Sequence, residues 1–255
     1  VKRYSVILWP LLAEIFAGLV VLSTRPQPEV ELSVQESAGL SLAYIVLVFG
    51  MAVLMVYLVR RKMVRLIRIM TGVFFVYSTL ISLGTLISAF ISFPWPLELL
   101  LSVLIAWLSF RRDLIGNLAK SLLSASLAYL FVVFFNDLFI YFLLGGLALY
   151  DAYSVFRGPL SELLMVSQED PLDPLMVFHG DVSMGVGDVF CYSMAAAVSF
   201  RSLPIYLSIL PLTALNAGIL LTLWTLYRAG RSLPGLTIPI SLWLPAQVGL
   251  LFLGS

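Results

Sequence analysis

Nine runs of apolar residues divide this chain of 255 residues, most of them close to the roughly 20 residues that a helix needs to cross a bilayer. They cover 5–22, 40–59, 69–93, 96–110, 118–135, 138–156, 182–200, 204–227 and 236–253, with charged or proline-rich breaks between them. With 61% hydrophobic residues and 11% charged ones, the composition excludes a water-soluble domain of this length. The expected fold is all-α, a polytopic membrane protein with nine transmembrane helices in one membrane-embedded domain over 1–255. Its first six spans occupy 1–156, a loop follows over 157–181, and the last three spans occupy 182–255.

Basic residues test that count, because cytoplasmic loops hold an excess of Lys and Arg. Nine spans put Lys2, Arg3, Arg60, Arg61, Lys62, Arg65, Arg68, Arg111, Arg112, Lys120, Arg157, Arg228 and Arg231 on one side, 13 of the 15 in the chain. Only Arg25 and Arg201 fall on the other. A miscount in the middle would scramble this partition, so the N-terminus is placed in the cytoplasm and the C-terminus outside, as a multi-pass protein of the cell membrane. The run Arg60 to Arg68 then reads as a positive-inside anchor rather than a nucleic-acid patch, and the net charge of +1 gives no reason to expect a nucleic-acid partner. A single cysteine, Cys191, and a single histidine, His179, rule out an internal disulfide and a multi-cysteine or histidine-rich metal centre. No metal and no cofactor is expected. The outer loop 23–39 reads as a flexible polar cap. The loop 157–181, rich in proline and acids, reads as irregular apart from an apolar piece over 160–166 lying at the interface.

The sixth and seventh spans, consecutive in the chain, each carry one aspartate. Asp151 lies near the end of the sixth and Asp188 near the start of the seventh, and on insertion scales each central Asp costs roughly 2.5 to 3.5 kcal/mol. Asp151 lies six residues before Arg157 and Asp188 six residues after Val182, so at helical rise both sit roughly 9 Å below the same face. Antiparallel neighbours joined by one loop would put them level. Asp188, Cys191 and Ala195 follow Gly185 at helical spacing, and small residues on such a face let helices approach in lipid. Gly145 and Gly146 loosen the sixth span. Gly185 and Gly187 either lie on the helix or leave its start irregular, which lipid tolerates where the backbone is buried or faces water. Two carboxylates at hydrogen-bond distance cannot both ionise easily, so they share one proton. That state suits peptide hydrolysis: the ionised acid takes a proton from water, the protonated acid donates to the scissile carbonyl oxygen, and a gem-diol forms.

Tyr150-Asp151 in one span and Gly185-Val186-Gly187-Asp188 in the next resemble the Y-D and G-x-G-D motifs of presenilin-type and signal-peptide-peptidase-type intramembrane aspartyl proteases. Pro234-Gly235-Leu236, before the last span, resembles that family's P-A-L motif with glycine in place of alanine. The nine-span count and the cytoplasmic N-terminus are similar to the presenilin orientation, opposite to that of signal peptide peptidases, and the short chain resembles a compact archaeal presenilin homologue. The resemblance implies a metal-independent aspartic endopeptidase that cuts membrane-spanning helices inside the bilayer. Asp151 and Asp188 would be its catalytic pair. Tyr150, Gly185, Val186, Gly187, Pro234, Gly235 and Leu236 would shape the site or hold substrate. The implied partners are a transmembrane protein or peptide substrate and the lipid bilayer, with a homo-oligomer allowed.

Other polar residues in or near the spans read as structural. Glu14 is an acid facing the bundle and hydrogen-bonded to a neighbour, Asn216 is interhelical glue, and Glu98 and Asp137 are solvated span ends. His179 and Asp181 make no metal site. Two other functions compete. One is a preflagellin or prepilin peptidase, which shares G-x-G-D but has fewer spans and lacks the third motif. The other is an ion- or proton-conducting transporter or leak channel, since buried acids mark ion paths. The ninth span, broken by Pro239 and Pro245, is the expected mobile element for substrate entry.

Overall fold

The computed structural model describes residues 6–91, 94–156, 175–179, 182–229 and 234–254. Among them the chain forms nine helices: α1 (Leu8–Thr24), α2 (Val34–Arg60), α3 (Val64–Ser88), α4 (Trp95–Ser109), α5 (Leu114–Phe134), α6 (Asp137–Phe156), α7 (Val186–Ser202), α8 (Ile205–Ala229) and α9 (Thr237–Gly254). Between α6 and α7 stands a hairpin of β1 (Met176–His179) and β2 (Val182–Gly185). The apolar piece expected over 160–166 lies outside the described residues, as do Lys2, Arg3, Arg157, Asp181, Arg231 and the side chain of His179.

Helices α2, α3, α5, α6 and α8 are long and apolar enough to cross a membrane, and α1, α4 and α9 are shorter apolar helices. The chain is a helical membrane protein. Helix α7 earns its place differently. Every residue from Cys191 to Ser199 is buried, and serines and alanines dominate that stretch, because a helix surrounded by other helices gains more from close approach than from oiliness. Gly18 of α1 shows how close the approach is: a Cβ there would stand 2.5 Å from the ring of Phe200. Helices α1 and α5 provide the main packing around α7, while α2 lies outside against α6, and α9 packs between α8 and α6.

Several expectations change. The seventh span does not begin as helix at Val182. Residues 182–185 form β2, paired antiparallel with β1 in the register Met176↔Gly185 to His179↔Val182, and the helix starts at Val186. The loop 157–181 therefore ends in regular structure. Along β2 burial alternates residue by residue, the two-residue period of a strand. Helices α6 and α7 meet narrowly rather than as close-packed neighbours, and Gly146 serves contact with Ile45 of α2 instead of loosening α6. The outer loop is no free cap. Ser33 and Glu36 form a capping box that starts α2 at Val34, and the Glu29 and Val30 amides donate to Val133 and Phe134 carbonyls at 2.9 and 3.0 Å. Asp137 pairs with Arg201, whose guanidinium also donates to the carbonyls of Val132 and Phe135. The cation assigned to the sparsely charged side is thus held by a carboxylate and two helix-end carbonyls.

Candidate active site

Asp151 is buried in the last turns of α6, and it accepts a hydrogen bond at Oδ2 from the Leu236 amide at 2.7 Å. The Thr237 amide donates to the same carboxyl. Leu236 and Thr237 are the cap and first residue of α9, so their amides belong to the donors that a helix start leaves without intrahelical partners. An acid from α6 satisfies them, at the end of α9 where negative charge is favoured.

Asp188 is the third residue of α7 and accepts from the amide of Gly185, the residue that caps that helix. This is the reach-back half of a capping box, and the free end of the hairpin supplies the amide it needs. The expectation that Asp188 sits six helical residues into a span is corrected by the strand, which delivers it to a helix N-terminus. Asp151 and Asp188 nevertheless lie within electrostatic reach of one another.

Pro234, Gly235 and Leu236 run between the two acids. A Cβ on Gly235 would stand 2.8 Å from Cγ of Asp188 and closer still to its Oδ2, so this segment touches one carboxyl through a bare Cα and the other through the next amide. Tyr192, one helical turn beyond Asp188 and buried, donates from Oη to the Gly235 carbonyl at 2.6 Å. Thr237 donates from Oγ1 to the carbonyl of Ala148 at 3.0 Å, fixing the start of α9 onto α6. Each link crosses between helices that are far apart in sequence.

The remaining sequence-selected residues divide. Val186 is buried, and its carbonyl accepts from Ser124 Oγ at 3.3 Å. Gly187 is exposed with nothing within 4 Å of the place a Cβ would take, which leaves open space directly beside Asp188. Gly185 would bring a Cβ to 3.3 Å from Asp188 Oδ2. Tyr150 turns away from this cluster and meets Phe49 of α2 edge-on, ring centroids 6.1 Å apart. Glu14 is hydrogen-bonded to a neighbour and Asn216 joins two helices, as expected of each, and the structure makes them each other's partner, the Asn216 amide donating to Glu14 Oε2 at 2.8 Å. Sequence reasoning passed over Tyr192 and Thr237. Tyr192 had a legible signal, lying four residues after Asp188 and so on the same helical face.

No family model matches the sequence, and no curated protein matches it. Its three-dimensional similarity is to solved structures. A presenilin family intramembrane aspartate protease in space group C222 superposes with a TM-score of 0.68 at 17% identity, over 98% of this chain and 98% of that one. A structure of a presenilin family intramembrane aspartate protease in space group P2 gives 0.57 at 21% identity, over 97% and 95%. At this identity it is the architecture that is held in common, from first helix to last: this chain shares the fold of the presenilin-family intramembrane aspartate proteases.

Proposed function

We propose that this protein is an intramembrane aspartic endopeptidase that hydrolyses peptide bonds of membrane-spanning helices, with Asp151 and Asp188 as general acid and general base. The observation that carries the reading is the Gly235–Leu236 segment, which contacts both carboxyl groups at once. An acid pair needed only for packing has no use for a backbone strand laid across it, whereas a hydrolytic pair needs its members held at fixed separation around a water and a carbonyl.

In this reading the two acids hold one proton between them. The ionised member activates water, the protonated one polarises the scissile carbonyl, and the proton returns to the leaving amine as the tetrahedral diol collapses. The open space at Gly187 admits the water and the unwound substrate. Pro234 and Leu236 shape the substrate side of the site, while Tyr150 packs α6 against α2. The acids face the cytosol, with the N-terminus cytoplasmic, the C-terminus outside and the chain acting as one unit in the cell membrane. No metal takes part, so chelators leave turnover unchanged. The fold shared with presenilin-family proteases along nearly the whole chain supports this reading over a prepilin-type peptidase or an ion conductor.

The test is cleavage of a single-span substrate by purified protein in detergent, comparing the unaltered chain with Asp151→Asn and Asp188→Asn. Each substitution should abolish cleavage while helicity and melting persist, because each acid has its own part in one step. Continued cleavage by either variant removes the pair from the mechanism. Absent proteolysis together with acid-dependent ion flux in liposomes would assign the protein to transport.

A further inference from the structure

A lysine buried near the start of an apolar span needs a reason, since a buried charge is costly unless it is paired and hydrogen-bonded. Lys120 is fully buried in α5, and its Nζ donates to the carbonyl of Met176 at 2.6 Å and to that of Arg111 at 3.4 Å. One turn earlier Asn117, also buried, makes two bonds with a single residue of β1. Its Nδ2 donates to the Phe178 carbonyl at 2.6 Å, and its Oδ1 accepts from the Phe178 amide at 3.1 Å. One turn later Ser124 donates to the carbonyl of Val186. The three residues, spaced by three and four, share one face of α5. The ring of Phe178 completes the contact, with Lys120 Nζ 5.5 Å and the Arg112 guanidinium 5.9 Å from its centroid.

Antiparallel pairing gives these bonds a definite meaning. Residues along a strand alternate between pointing both backbone groups at the partner strand and pointing both away. Because Phe178 gives its amide and its carbonyl to Asn117, Phe178↔Ser183 is an outward-facing pair, and so is Met176↔Gly185 two residues on. The Met176 carbonyl is the group taken by Lys120. The Gly185 amide, facing out on the other edge, is the group taken by Asp188. Lys120 and Asn117 thus hold one edge of a two-stranded hairpin, and the opposite edge ends in the amide that seats Asp188. An isolated hairpin of four-residue strands is marginal without such support.

We infer that Asn117 and Lys120 are positioning residues for the proposed proteolysis: by fixing the outer edge of β1 to α5 they set the hairpin, and through Gly185 they set the Asp188 carboxyl against Asp151. This rests on the protease reading above, and its physical core, the fastening of the hairpin, is measurable without it.

The experiment uses the full chain in detergent, with Lys120→Met, which keeps the stem and removes the donors, and Asn117→Asp, which keeps the shape but turns the donor into an acceptor. Two readouts are taken, cleavage of the single-span substrate and hydrogen exchange of the 176–186 amides. Both variants should keep their helix content, exchange those amides about tenfold faster, and lower kcat about tenfold with KM little changed. For Asn117→Asp the ratio of variant to unaltered kcat should climb as pH falls, because a protonated carboxyl donates to the Phe178 carbonyl again, a rescue that mere packing does not produce. Unaltered kcat in Lys120→Met, or a ratio for Asn117→Asp that stays flat with pH, overturns the inference. If the unaltered chain cleaves nothing, the protease reading fails and exchange alone decides: faster exchange of the hairpin sustains the clamp, and unchanged exchange removes it.

Discussion

Tyr192 Oη donates to the carbonyl of Gly235 at 2.6 Å, tying the helix that carries Asp188 to the segment whose next amide holds Asp151. One hydroxyl thus sets the height of the Pro234–Leu236 strand over both acids. Tyr192→Phe keeps the buried ring and frees that carbonyl, so stability should fall by only about 1 kcal/mol. Turnover of a single-span substrate should fall about tenfold through loss of alignment, mostly in kcat. Steady-state cleavage alongside thermal melting checks it, and a variant that turns over normally would show the strand needs no tether.

Gly235 occupies the place where the P-A-L pattern has alanine, and a methyl group there meets the Asp188 carboxyl. Gly235→Ala must displace that carboxyl or the strand. A shift near 1 Å in a catalytic group is enough to cost on the order of 100-fold in rate, and kcat should fall by between about ten- and a hundredfold. Gly249→Ala, in α9 just beyond this segment, is the control, since nothing lies within 4 Å of its added methyl. Equal activities for the two variants would show that the strand yields without consequence.

Asn216 and Glu14 join α8 to α1 through one bond of 2.8 Å, while Glu14 Oε1 and Asn216 Oδ1 are buried without a hydrogen-bond partner. Interhelical polar pairs in membranes average about 0.6 kcal/mol and reach about 1.7. Asn216→Leu should destabilise by roughly 1 kcal/mol, and Glu14→Gln, which retains an acceptor, by less. Reversible denaturant unfolding of the two singles and the double closes a mutant cycle, and a coupling of zero would make the pair incidental to the α1–α8 contact.

Asp113 caps α5, accepting at Oδ1 from the Gly116 amide at 2.9 Å, and pairs with Arg111. The Gly116 amide, with the Arg111 guanidinium, holds its carboxyl below the usual carboxylate range. A depressed folded value means the carboxylate stabilises the fold above the ordinary carboxylate pKa, and that contribution is lost as pH falls through the lowered value. Asp113→Asn keeps a competent cap without the charge. The unaltered chain should therefore melt above this variant at neutral pH and converge with it in acid. Melting curves across that range are the check, and a gap widening toward low pH would reverse the sign.

Much of this architecture was legible in the residues one at a time. Runs such as 40–59 and 69–93 announce helices in lipid because a bilayer imposes a length and a polarity on any segment that crosses it, whatever its neighbours. Asp151 and Asp188 stood out for the same reason, as acids where the solvent is hydrocarbon, whereas Pro234-Gly235-Leu236 stood out only through its resemblance to the P-A-L motif. The hairpin was less visible, since four-residue strands of apolar residues continue the composition of the span that follows. By sequence Lys120 counts only among the cytoplasmic-side basic residues and Asp137 reads as a solvated end, whereas in the fold Lys120 holds the Met176 carbonyl and Asp137 pairs with Arg201. The bond from Leu236 to Asp151 joins residues 85 apart, and that from Tyr192 to Gly235 residues 43 apart. The sequence by itself determined that helices would form, roughly where, and which acids had to be accounted for, because those follow from local transfer energies. Only the tertiary structure decided that Asp151, from the end of α6, meets the start of α9 while Asp188 stands at the start of α7, with the 234–236 segment between them, because that depends on how α5, α6, α7 and α9 pack, and no segment encodes its partners' positions alone.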